Sequence, residues 1–125
     1  MKKEDLVYIC SPLSASERSD MKYNMIQAGL YAEKVAAHLE CRAIAPHSFL
    51  PDYLDDHIKE EREAALAFGL SVLKLCKALV ICGDRISSGM KGEIKMAREL
   101  GIPVYRMMET GISGIALIKE KGETG

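Results

Sequence analysis

The chain has 125 residues, 48% of them hydrophobic, and 17 Lys and Arg against 18 Asp and Glu leave a net charge of −1. That size suits a single domain over 1–125 with a core of its own. The near-neutral balance speaks against a nucleic-acid polymer or a polybasic membrane patch as partner, and no apolar run reaches the roughly 18–20 residues of a membrane span. The start, MKKEDLVYIC, lacks the long apolar stretch of a secretory signal, so a cytoplasmic protein is expected. Cys10, Cys41, Cys76 and Cys82 form no CxxC pair and read as small hydrophobes in a reducing compartment.

In chain order, LVYIC (6–10) is a short run of β-formers and predicts a buried strand. SPLSASERSD is polar and contains Pro12, so it predicts a loop, with Asp20 as a cap for the helix beyond it. Met21, Met25, Ala28, Tyr31, Val35 and Leu39 recur at helical spacing up to Glu40. RAIA (42–45) is a second strand, stopped by Pro46, and PHSFLPDYLDD is a second loop with three solvated aspartates. From about His57 to Cys76 the pattern is helical again, with an apolar stripe of Ala64, Ala65, Phe68, Val72 and Leu75 and a wet KEERE face. ALVIC (78–82) is the third strand, and a helix from Gly89 to Leu100 ends at Gly101 before Pro103. PVYRM (103–107) is the fourth strand, the stretch around GIALIKE is a short strand or helix, and the final KGETG frays.

Strands alternating with helices imply βαβ units: an α/β, flavodoxin-like parallel sheet of four to five strands, in the order 2-1-3-4. In such a sheet ligands bind at the carboxyl ends of strands 1 and 3, where the order reverses. The loops there are SPLSASERSD and GDRISSG.

Ser87, Ser88 and Gly89 precede a helix, where free N–H groups and hydroxyls form an anion site or a plain cap. Glu93 shares a helical face with Ala97 and Leu100 beside the core stripe of Met90, Ile94 and Ala97. A half-buried carboxylate at that edge suits an acid, a nucleophile or a hydroxyl ligand, or it answers only to the helix dipole. Tyr8 in the first strand faces either the crevice or the core. His47, after the second strand, lies at the same sheet edge, where it touches ligand or makes a local hydrogen bond. No cofactor or metal motif is present, so neither is expected.

Three stretches, VYICSP, APH and ISSGMKGEIKMARELGIPV, resemble the nucleoside 2-deoxyribosyltransferase superfamily. They are most similar to its small phage and bacterial members of unknown function and to its nucleotide N-glycosidase branch. The resemblance spans residues 7 to about 105 and is most specific over Ser87–Val104. It implies cleavage of an N-glycosidic bond, or deoxyribosyl transfer, on a (deoxy)nucleoside 5′-monophosphate. Glu93 matches the attacking glutamate and Tyr8 the tyrosine that positions it, while Ser87 and Gly89 match residues that hold the 5′-phosphate. Ser11 sits where the first loop approaches ligand, and Ser113 is a candidate phosphate ligand supplied by a partner, since superfamily members are dimers or larger. One departure concerns the second carboxylate, an aspartate that handles the proton at the base. Its position falls at or near Gly69, and Asp84 substitutes only by turning into the crevice. Loss of that group opens an alternative, a nucleotide sensor or sponge without catalysis.

Overall fold

The computed structural model describes residues 1–13, 18–112 and 114–121. The elements are β1 (Leu6–Cys10), α1 (Arg18–Leu39), β2 (Arg42–Ile44), α2 (Lys59–Leu73), β3 (Ala78–Ile81), α3 (Ser88–Glu99), β4 (Val104–Thr110) and β5 (Gly114–Lys119). Two short 3-10 turns, Pro46–Ser48 and Leu50–Asp52, follow β2 in the stretch expected to be plain loop. The strand order is β2-β1-β3-β4-β5, so the expected 2-1-3-4 core is present. The fifth strand departs from the expected all-parallel sheet. It pairs antiparallel with β4 because only a tight turn at Gly111 (φ 64°) joins them, too short for a crossover.

Period-two alternation divides the core between the two faces of the sheet. Val7, Ile9, Ala78 and Val80 pack against α1 through Ala28 and Val35. Tyr8, Cys10, Leu79 and Ile81 point the other way, onto Leu73 of α2 and onto Met90 and Ala97 of α3. Each face reads as apolar because both are covered, the usual condition of parallel strands.

Two helix expectations need correction. Asp20 lies inside the first turn of α1, which starts at Arg18, and so does not cap it. On α2 the buried side is Leu73 with the half-buried Ala65, Gly69 and Val72, whereas Ala64, Phe68 and Leu75 are exposed. The stripe drawn through Phe68 is therefore displaced around the helix from the one that meets the sheet. No helix among the described residues is long and apolar enough to cross a membrane.

Candidate functional site

The loops after β1 and β3 meet at their carboxyl ends, as the strand order requires. Gly83 makes the contact possible: its φ of +102° is in the left-handed region, and a Cβ there would come within 2.9 Å of Pro12 Cδ. Among the described residues, two of the cavities near this junction lie on opposite sides of the sheet.

The cavity on the α2–α3 side has a volume of about 450 Å³. Leu13, Pro46, Leu50, Pro51 and Leu54 form one wall, and Ala65, Leu66, Gly69, Leu70 and Leu73 of α2 form another. Its polar groups are few: His47, Asp56, Arg62, Ser87, Ser88 and Glu93. A mostly apolar cleft with a handful of converging polar groups is the usual form of a small-molecule site.

Glu93 is held there in a set of three. Its side chain is 18% exposed and that of His47 is 23% exposed. Tyr8, 2% exposed, sets its hydroxyl beside the Glu93 carboxylate, where a phenol donates and a carboxylate accepts. Burial and the neighbouring Glu93 charge hold the Tyr8 phenol far above its ordinary range, so it remains a donor. From the turn after β2, His47 Nε2 faces Glu93 Oε1 at 3.7 Å. Burial raises the Glu93 pKa above its ordinary value, opposed by His47 and by the Tyr8 hydrogen bond. The Cys10 thiol beneath is also pushed up, chiefly by burial and then by Glu93, so it is no thiolate.

The His47 ring is fixed by its other nitrogen, as Nδ1 lies 2.7 Å from the Ser11 carbonyl oxygen. A carbonyl only accepts, so Nδ1 carries the hydrogen and Nε2 is the nitrogen free to exchange a proton. His47 thus meets both of its expected descriptions, a local hydrogen-bonder that also lines the cavity. Tyr8 likewise belongs to the core and to the site.

Ser87 is the N-cap of α3, its Oγ accepting from Met90 N at 3.3 Å. Ser88 and Gly89 begin the helix at the cavity wall, so cap and candidate anion site coincide. Ser11 is 1% exposed, and its Oγ has no hydrogen-bond partner among the described residues. Its role visible in the fold is through its backbone carbonyl. At Gly69 an added Cβ would stand 3.1 Å from the Tyr8 hydroxyl oxygen, so a side chain there presses directly on the Tyr8–Glu93 pair.

Asp84 does not turn into this cleft. It lines the second cavity, about 520 Å³, on the α1 side with Tyr23, Tyr31, Arg85 and Glu109. The strand alternation is the reason: Cys82 continues the face of Val80, packed against α1. Ser113 lies outside the described residues.

Arg62 and Asp56 are exposed, as the solvated reading of their segments expected, but that reading did not place them at the cleft wall. Arg62 stands seven residues before Gly69, two helical turns along one face, and that spacing was the available signal. The apolar wall of Leu50, Pro51 and Leu54 had no periodic signal, since it comes from irregular turns.

The chain is similar in structure to 2-deoxyribosyltransferase from the psychrotolerant bacterium Bacillus psychrosaccharolyticus, with a TM-score of 0.60 and 19% identity over 81% of this chain and 70% of that one. At that identity the likeness is one of fold. No curated protein matches the sequence. Residues 5–107 match a family described as Domain of unknown function (DUF7768), and the chain belongs to that family.

Proposed function

We infer that this protein is a nucleoside- or nucleotide-processing enzyme that cleaves an N-glycosidic bond, or transfers the deoxyribosyl group, through Glu93. One observation carries the reading: a half-buried carboxylate, flanked by the Tyr8 hydroxyl and faced by His47, opens on an apolar cleft of nucleotide size. The fold shared with a 2-deoxyribosyltransferase supports it.

In this mechanism a Glu93 oxygen bonds to the anomeric carbon as the carbon–nitrogen bond breaks, with the electron pair leaving on the base. Tyr8 orients the carboxylate. Ser87, Ser88 and Gly89 at the start of α3 hold the 5′-phosphate, helped by the helix dipole. The flat base lies between the leucine-lined walls. Water, or a second base, then attacks the same carbon and frees Glu93. The enzyme works in the cytoplasm as a homodimer or larger homo-oligomer, for which the exposed Leu66, Phe68 and Leu75 offer an apolar face.

The test is release of free base from a panel of (deoxy)nucleoside 5′-monophosphates, followed by chromatography. Glu93→Ala is expected to reduce release roughly 10⁴-fold or more. Turnover that survives this substitution would exclude Glu93 as the nucleophile.

A second reading has its own observation. The resemblance puts the proton-handling carboxylate at or near Gly69, where this chain has no acidic side chain. A nucleotide sensor or sponge would bind members of the same panel without releasing base, and calorimetry beside the release assay separates the two.

A further inference from the structure

The geometry points to His47 as the group that carries the proton for this site, in place of the carboxylate absent at position 69. The inference rests on the proposed function for its catalytic part. Its structural part, the electrostatic coupling of His47 Nε2 to the Glu93 carboxylate at 3.7 Å, stands by itself.

Three observations converge. Nδ1 of His47 is committed to the Ser11 carbonyl at 2.7 Å, which leaves Nε2 as the exchanging nitrogen. Nε2 faces Glu93 Oε1 at 3.7 Å, and both side chains line the same cleft. A carboxylate at position 69 would crowd the Tyr8 hydroxyl, whereas His47 reaches the site from the opposite wall, the turn after β2. The other titratable or charged groups around Glu93 are Tyr8 and Cys10 from β1, Arg62 from α2 and Asp56 from the segment before it. Tyr8 and Cys10 are held protonated. Of the remainder, only His47 turns a ring nitrogen, Nε2, toward the Glu93 carboxylate with its other nitrogen already committed.

The reactive pair is the Glu93 carboxylate beside the His47 imidazolium. As Glu93 bonds to the anomeric carbon its charge disappears, and the imidazolium loses the anion that held its proton. The Nε2 proton passes to the departing base, which leaves neutral, and His47 remains with its Nδ1–H on Ser11. In the second half, the attacking water gives a proton back to Nε2 as its oxygen bonds to the carbon. Glu93 leaves as a carboxylate, and the starting state is restored. The coupling lies in the order of events: the acid becomes strong only when the nucleophile has reacted.

Two measurements on the full-length protein test this. First, carboxyl-detected 13C NMR follows the Glu93 titration. In His47→Gln it should move to higher pH, because the neighbouring cation that favours the carboxylate is gone, and 15N spectra of wild type should show Nδ1 protonated at all pH values. An unmoved Glu93 titration, or a hydrogen on Nε2 alone, overturns that coupling. Second, base release is compared with cleavage of a 4-nitrophenyl 2-deoxyriboside 5-phosphate, whose leaving group departs without a proton. His47→Gln should lower base release about 10²–10⁴-fold and leave the first-turnover burst of nitrophenolate, which needs no proton, within a few-fold of wild type. Equal losses on both substrates would reduce His47 to a positioning residue and overturn the proton transfer. If wild type cleaves neither substrate, the proposed function falls together with the transfer, and the NMR result alone decides the pair.

Discussion

The two cavities at the ends of β1 and β3 start from the same strands and differ in what surrounds their charges. On the α1 side, Asp84, Arg85 and Glu109 sit in an open, polar hollow, and Glu109 is 57% exposed and 3.6 Å from Lys34. On the α2–α3 side Glu93 is enclosed by leucines, with Tyr8 and His47 against it, while Asp56 is exposed. The first hollow has more polar side chains, but water screens them. In the second, exclusion of water perturbs Glu93 and makes each of its two partners count. On the proposed function, reactivity follows desolvation and fixed partners, and a census of polar residues would favour the other side.

That contrast can be broken most directly at Gly69. Gly69→Ala puts a methyl group 3.1 Å from the Tyr8 oxygen and should displace the hydroxyl from Glu93. Catalytic geometry is sensitive on that scale, so base release should fall roughly 10- to 100-fold. Unchanged turnover would mean that the Tyr8–Glu93 bond does not set the rate.

Gly83 joins the two sides, and a substitution there should disturb both. Gly83→Ala forces a left-handed backbone on alanine and a Cβ into Pro12. Urea unfolding should show a loss of about 1–3 kcal/mol. A loss below that range would mean that the two loops yield around the new methyl group.

Glu93→Gln probes desolvation through stability. The folded pKa of Glu93 lies above its unfolded value, so the folded state binds the proton more tightly. Its contribution to stability is full below the unfolded pKa and is lost as pH rises through the folded one. Glu93→Gln, neutral throughout, should therefore melt above wild type at about pH 8, with the gap closing near about pH 4. A gap that does not change with pH would point to packing and not to charge.

The smallest effect belongs to the other cavity. Asp84→Asn should change base release by less than about twofold, since exposed substitutions away from the site have little effect. A large loss would show that the α1 side takes part in the chemistry.

Much of the architecture was legible in the sequence because the strands are short apolar runs and the stops are local. Pro46, Gly101 and Pro103 end elements for backbone reasons that need no neighbours. The α3 face was legible too: Met90 and Ala97 are buried and Glu93 lies at their edge, as 3.6-residue spacing dictates. The α2 face was not. Its apolar residues run around the helix, and only contact with the sheet selects Leu73, Gly69 and Ala65 over Phe68 and Leu75.

By itself the sequence determined the strands and helices, the capped start of α3 and the presence of a carboxylate at its first turns, because these depend on local propensity and on period. Only the tertiary structure decided the company Glu93 keeps. Tyr8, His47 and Glu93 come from β1, the turn after β2 and α3, 39 and 46 residues apart in successive steps (47 − 8 and 93 − 47). Their meeting depends on which side of the sheet each element packs, which separates Tyr8 from Val7 and Glu93 from Asp84. Facing is a property of packed layers, and no local pattern specifies it.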